Sequence, residues 1–147
     1  MVAKPLRMDE KIPRSGEREM RFRGYGDHVR VFLCDDVAEF RALMRHILEE
    51  DGQTQVVGEA ADGFDVVDAV AAAKPDVVLL DLGMPHCDGL QAIPLLRAAS
   101  PQTRIVVLSG FAAERMAGPA LAAGADEYIE KGQPICDIRA ALLPLAA

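Results

Sequence analysis

The chain has 147 residues, half of them hydrophobic and 27% charged, which is enough for one domain of ordinary size and excludes disorder along its whole length. The net charge of −7 is unevenly spread: residues 1–27 carry seven basic and five acidic side chains, residues 28–147 nine basic and eighteen acidic ones. So acidic a body is a poor grip for phosphate backbones, and direct nucleic-acid binding is not expected of it. Apolar runs such as Val77–Leu80 fall far below the ~20 residues a membrane span needs, and the charged first twenty residues hold no apolar signal segment. Cys34, Cys87 and Cys136 are odd in number and form no CxxC pair, which indicates neither a disulfide framework nor a zinc ribbon and points to a reducing cytoplasm.

Residues 1–27 lack periodicity, are rich in charge, Gly and Pro, and read as a flexible arm; a functional basic tail and a true start at Met8 or Met20 stay open as alternatives. Residues 29–34 form a β-rich run that stops abruptly at Asp35-Asp36, the pattern of a buried strand and turn. Phe40, Leu43, Met44 and Ile47 then recur at helical spacing to about residue 50, where Asp51-Gly52 closes the helix. A second strand covers residues 55–59. Asp62 is placed to cap an Ala/Val-rich helix over 64–73 that Lys74-Pro75 stops. Residues 76–81 form a third strand, almost wholly apolar as a central parallel strand should be.

Asp88-Gly89-Leu90-Gln91 has the form of a capping box and opens a helix to about residue 99. Pro94 falls beyond its first turn, where it costs ~3 kcal/mol, so a kink or a late start is expected there. Strand four spans 104–109, and a helix over 112–123, weakened by Gly118-Pro119, ends at Gly124. Strand five spans 127–131, and a last helix opened by Pro134 runs to 143. Five strands alternating with five helices give an α/β fold: a doubly wound five-stranded parallel sheet of order 2-1-3-4-5, a flavodoxin-like three-layer sandwich. Its ligand site should lie beyond the carboxyl ends of the strands.

Strand one ends in Asp35-Asp36, strand three in Asp81, strand four in Ser109 and strand five in Lys131. These four strands are neighbours in the expected order, so their polar ends form one pocket. Singly, each has a plain structural reading as a cap, a turn residue or a solvated lysine; together they point to a site. Three carboxylates a few Å apart stay ionised only with a cation among them, and hard oxygen ligands favour Mg²⁺. A carboxylate beside Mg²⁺, a lysine and a hydroxyl can attack a phosphoryl group to give an acyl phosphate, with no general base needed.

The segments VFLCDD, VVLLDLGMP followed by DGL, IVVLSG and GADEYIEKG stand in this order over about residues 29–145. In this the chain resembles the response-regulator receiver domains of bacterial two-component signalling, and most of all those that normally precede a helix-turn-helix output. The resemblance implies that Asp81 is the phosphoacceptor, Asp36 a direct Mg²⁺ ligand, Asp35 a ligand through water and the backbone carbonyl of Gly83 a further ligand. It implies that Ser109 and Lys131 bind the phosphoryl group, and that Ser109 and Tyr128 act as the switch. The implied partners are a sensor histidine kinase or phosphotransfer protein and an output partner at the face of helix four, strand five and helix five, with a phosphorylation-dependent homodimer left open. On this reading the chain is a cytoplasmic phosphoryl acceptor rather than a turnover enzyme, with residues 1–27 as the arm and 28–147 as the receiver.

Two features depart from the family pattern. Gly132 follows the lysine where many receivers have proline, and gives the loop freedom without a cis preference. Gly83 and Phe111, two residues beyond Asp81 and Ser109, occupy positions that shape water's access to the phosphoryl group; neither can orient a water, so a longer phosphoryl lifetime is expected. His86-Cys87 reads as loop, Cys34 as core, and Cys136 gains no role. A phosphorylation-independent interaction module on the same fold is the alternative. A flavin carrier of like topology is disfavoured by two carboxylates where the flavin phosphate would sit. The 120 residues from 28 onward are taken up by the receiver, so the output is expected from a partner protein or from an effector domain outside this sequence.

Overall fold

The computed structural model describes residues 28–50, 52–84 and 89–142. The expectations for residues 1–27, Asp51, His86-Cys87, the Asp88 cap and the end of the last helix at 143 lie outside these. Five strands, β1 (Val29–Cys34), β2 (Thr54–Ala60), β3 (Val77–Leu80), β4 (Arg104–Ser109) and β5 (Glu127–Glu130), alternate with α1 (Ala38–Glu49), α2 (Gly63–Ala73), α3 (Gly89–Ala99), α4 (Ala113–Ala123) and α5 (Ile135–Leu142). All pair in parallel in the expected order β2-β1-β3-β4-β5. β1 lies beside β3, Val31 opposite Val77 and Cys34 opposite Leu80, so the winding direction reverses between these two strands. A crevice opens at such a reversal, beyond the strands' carboxyl ends.

The unbroken apolar runs serve two cores, because alternate strand residues face opposite ways. Phe32, Cys34, Val78, Leu80, Ile105 and Val107 pack with residues of α2, α3 and α4 such as Val66, Ile93 and Ala120. Val31, Leu33, Val77, Leu79, Val106 and Leu108 pack on the other face with Met44 and Leu48 of α1 and Ile138 and Leu142 of α5. A run with no polar alternation is what a strand covered on both faces requires. β2, at one edge, carries a bulge: Val31 pairs with Val56 but Phe32 with Gly58. A Cβ at Gly58 would lie 2.5 Å from the Phe32 ring, so glycine lets that ring lie over the bulge.

Local signals and structure agree closely at α2. The Asp62 carboxylate accepts the N–H groups of Phe64 (2.9 Å) and Asp65 (3.3 Å), and Lys74 ends the helix in the left-handed region at φ 50°. The Arg30 guanidinium then donates to the terminal carbonyls of Ala73 and Lys74, at 2.9 and 2.7 Å.

Three local expectations change. Of the four periodic residues of α1, Met44 is buried, together with Leu48, whereas Leu43 is half-exposed. A stripe set by Phe40, Leu43 and Ile47 is equally periodic, but the helix turns Met44 and Leu48 to the sheet. Of the kink or late start expected of α3, the late start does not occur: the helix begins at Gly89 and runs on past Pro94. Burial of Ala92, Ile93 and Leu96 beside it offsets the missing hydrogen bond, at ~1.5–3 kcal/mol for each large side chain. Strands three and five each end one residue early, leaving Asp81 and Lys131 just beyond the sheet.

α4 also passes through a proline, and Gly118 before it has no Cβ to clash with the ring. Pro119 is exposed and denies a hydrogen bond to the carbonyl of Arg115. Pro119→Ala is expected to raise stability by about 1–2 kcal/mol, less than the full helix-interior cost of proline because the unfolded chain also gains freedom. The urea unfolding midpoint measures it, and an unchanged midpoint contradicts it.

Candidate functional site

The carboxyl ends of β1, β3, β4 and β5 bring the expected residues to one crevice. Asp35 and Asp36 follow β1, Asp81 follows β3, Ser109 ends β4 and Lys131 follows β5. Asp35, Asp36 and Asp81 each present a carboxylate oxygen within 4.8 Å of the others; Asp35 and Asp81 are buried, and Asp36 is exposed at the rim. At that spacing each pair repels by about 3 kcal/mol, taking an effective dielectric near 20. The Lys131 ammonium donates to Asp35 Oδ2 at 2.6 Å and stands 3.8 Å from Asp81 Oδ1. One ammonium among three carboxylates leaves a surplus of negative charge and only oxygen donors, which fits a hard divalent cation of the Mg²⁺ kind.

The two buried carboxylates are held differently. Asp35 is fully engaged: Oδ1 accepts the Val37 N–H at 2.9 Å, and Oδ2 accepts Lys131. The first of these bonds ties Asp35 to Val37, the residue that precedes α1 and supplies no side-chain cap of its own. Asp81 accepts the N–H of Gly83, yet its carboxyl is held above the usual range, chiefly by burial and then by Asp35 and Asp36. Lys131 and the Gly83 hydrogen bond oppose that rise without cancelling it. Asp81 is thus a charge that its surroundings leave under-stabilised.

Ser109 is fully buried, and its hydroxyl accepts the Phe111 N–H at 3.1 Å. Tyr128 on β5 donates its hydroxyl to the Phe111 carbonyl at 2.7 Å. Both expected switch residues therefore grip the same loop residue, one from each strand. Gly83 lies between Asp81 and the Phe111 ring: a Cβ there would be 3.9 Å from Asp81 Oδ2 and 3.7 Å from that ring. The Lys131–Gly132 peptide is trans. Cys34 is buried in strand β1 as expected, and burial holds its thiol well above the usual range, so it is no thiolate at neutral pH.

The structure brings to the site three residues that had no role there on sequence grounds. The Phe40 ring lies beneath Lys131, its centroid 4.4 Å from Nζ. Glu130 Oε2 accepts the Ala113 N–H at 2.7 Å and so caps α4, whose own N-cap Ala112 offers no side-chain acceptor. Arg41 donates to the backbone carbonyl of Asp35. Phe40 was visible as a periodic apolar residue, but nothing in the sequence marked Glu130 or Arg41.

A doubly wound α/β domain with a carboxylate pocket and a lysine at its winding reversal defines a narrow class. The chain belongs to the response regulator receiver domain family, whose family model matches residues 31–143. It is 37% identical over 105 residues to the transcriptional regulatory protein YxjL of Bacillus subtilis (strain 168), covering 71% of this chain and 48% of that protein. It is 41% identical over 108 residues to a protein-glutamate methylesterase/protein-glutamine glutaminase of Azospirillum brasilense, covering 72% of this chain and 27% of the relative. The chain thus spans about half of the first relative and about a quarter of the second.

Among solved structures it resembles the signal receiver domain of the response regulator NarL from Mycobacterium tuberculosis, with TM-score 0.75 and 34% identity over 80% of this chain and 94% of that one. It also resembles a response regulator protein from Burkholderia pseudomallei solved with a phosphorylated aspartic acid, calcium ion and citrate, with TM-score 0.69 and 29% identity over 77% of this chain and 65% of that one. The protein is therefore a receiver domain of a two-component response regulator. Among the described residues no helix is long and apolar enough to cross a membrane.

Proposed function

We propose that the chain accepts a phosphoryl group on Asp81 from a sensor histidine kinase or phosphotransfer protein in the cytoplasm, and then alters the face of α4, β5 and α5 for an output partner. The observation that carries this reading is the placement of Asp81, buried, within 4.8 Å of two further carboxylates and 3.8 Å from Lys131. The relative solved with a phosphorylated aspartic acid and a calcium ion supports it by analogy. The receiver body is taken as residues 28–147.

In the reaction, a carboxylate oxygen of Asp81 attacks phosphorus. The bond from phosphorus to the donor's nitrogen or oxygen breaks, and its electron pair leaves with the donor. Asp36 directly, Asp35 through water, Asp81 and the Gly83 carbonyl would hold Mg²⁺, which supplies positive charge against the phosphoryl oxygens. Lys131 turns from Asp35 and Asp81 towards the new charge. The Ser109 hydroxyl, at present an acceptor, becomes a donor to a phosphoryl oxygen. Phe111 N–H then loses its partner while Tyr128 holds the carbonyl of the same residue, which links the site to the start of α4. Beside Tyr128 a groove of about 350 Å³, lined also by Glu130, Gln133 and Asp137, offers a surface for the partner.

The test is to incubate the native chain with Mg²⁺ and acetyl phosphate and weigh the intact protein. A gain of one phosphoryl group supports the proposal. No gain with this donor or with a cognate kinase overturns it, in favour of an interaction module independent of phosphorylation.

Neither Gly83 nor Phe111 has a group to orient an attacking water, and the Phe111 ring lies 3.7 Å from the Cβ position of Gly83. The isolated phosphoprotein is therefore expected to outlast the seconds range. Its decay, followed by intact mass after donor removal, checks this, and hydrolysis within seconds contradicts it.

A further inference from the structure

Among the groups bordering the acidic pocket, Arg41 is the one whose presence charge alone does not explain. It stands in the first turn of α1, largely buried, close behind three carboxylates that are placed for a cation. A like charge there opposes cation binding. Its geometry is that of a clamp. Nη1 donates to the Asp35 backbone carbonyl at 2.6 Å, while Nε donates to Glu59 Oε1 at 2.8 Å. Glu59, near the end of β2, is itself anchored: its other oxygen accepts Nε and Nη2 of Arg45 at 3.0 and 2.7 Å. These hydrogen bonds hold the Glu59 carboxyl below its usual range, so it stays an anion at neutral pH.

The carbonyl that Arg41 holds belongs to the peptide joining Asp35 to Asp36. On the other side of Asp35, its N–H donates to the Ala60 carbonyl at 3.1 Å. The Asp35 side chain is fixed by Val37 and Lys131, but Asp36 is exposed and takes its direction from that peptide plane. We infer that Arg41 is a positioning residue for divalent-cation binding: its planar fork, braced on Glu59, fixes the Asp35–Asp36 peptide so that the Asp36 carboxylate meets the ion. A lysine in its place has no second donor in a fixed plane with which to grip both partners. The inference rests on the reading of the acidic pocket as a Mg²⁺ site.

The experiment is a calorimetric Mg²⁺ titration of the full chain as native protein, Arg41→Lys and Arg41→Met. Positioning groups behind metal ligands typically cost 10- to 100-fold in affinity when removed, so each variant is expected to bind Mg²⁺ about tenfold more weakly. The Mg²⁺ concentration that half-saturates phosphoryl uptake rises with it, while the rate at saturating Mg²⁺ stays native. If Arg41 acted only through its charge, Arg41→Met would bind Mg²⁺ more tightly and Arg41→Lys as the native chain does. Either result overturns the inference. Should Arg41→Met melt below the titration temperature, Arg41→Lys alone decides, since it keeps the charge and loses the fork. A native chain that binds no Mg²⁺ overturns the metal reading itself, a failure distinct from native binding that the variants leave unchanged.

Discussion

Asp81→Asn is expected to abolish the phosphoryl gain that Mg²⁺ and acetyl phosphate give the native chain. Three carboxylates share the pocket, and on the proposed reading Asp81 is the one that attacks. Asp35 is tied through both oxygens to Val37 and Lys131, and Asp36 stands exposed at the rim. Asp81 faces the ammonium at 3.8 Å rather than 2.6 Å, and its raised carboxyl marks a charge under-stabilised by its surroundings. An amide of the same shape keeps the fold and removes the nucleophile. A retained mass gain in Asp81→Asn would move the acceptor elsewhere and overturn the assignment.

The same substitution has a second readout of defined sign. A carboxyl whose folded value is raised adds stability fully at pH below its unfolded value, and that contribution is lost as pH rises through the folded value. The native chain without divalent ions is therefore penalised at neutral pH by holding Asp81 ionised in a buried site next to Asp35 and Asp36. Asp81→Asn should melt higher than the native chain in a chelator at pH 7. The difference should close as the pH falls through the raised value of Asp81 towards the ordinary carboxylate range. Mg²⁺ then raises the native melting temperature more than that of the variant, since it binds the folded state through the carboxylate removed.

Gly89→Ala is expected to cost about 3 kcal/mol, near the upper end of the usual overpacking range. Gly89 opens α3 and is buried against the strand end that carries Asp81. A Cβ on it would collide with the Asp81 carbonyl and lie 2.8 Å from the Leu82 Cα. These are backbone atoms, so no rotamer change relieves the contact, and either α3 or the end of β3 must shift. The Gly89 N–H also donates to the Leu82 carbonyl at 3.1 Å, which holds the two segments together. The urea midpoint should fall, and phosphoryl uptake should fall with it as Asp81 moves. Gly132→Ala is the control: a Cβ there meets nothing within 4 Å, so stability should stay within about 0.5 kcal/mol. Equal midpoints for the two variants would show that the strand end yields without cost.

Some features of this fold are legible because their causes are local or strictly periodic. Val77–Leu80 is apolar without alternation, which only a strand covered on both faces tolerates. Asp62 and Lys74-Pro75 bracket α2 through their own backbone chemistry, and the structure places both ends there. That Leu43 is half-exposed while Met44 is buried was not legible, because the stripe of α1 is set by which face meets the sheet. The window Phe40, Leu43, Met44, Ile47 and Leu48 allows more than one such face. The late start allowed for at Pro94 does not occur because the proline's cost is local whereas the burial of Ile93 and Leu96 that outweighs it is tertiary.

The site divides along the same line. The sequence alone determined which groups meet, because parallel strands deliver their carboxyl ends to one edge whatever the helices do. Asp35, Asp36, Asp81, Ser109 and Lys131 followed from strand ends and strand order. Only the tertiary structure decided how they share the charge. It gave Lys131 to Asp35 in preference to Asp81, turned the Ser109 hydroxyl to Phe111, and set Arg41 and Glu130 against backbone atoms of the site loops. Hydrogen bonds of that kind join residues far apart in the chain, such as Asp35 and Lys131. They depend on side-chain directions to within tenths of an ångström, and no pattern along the chain encodes that.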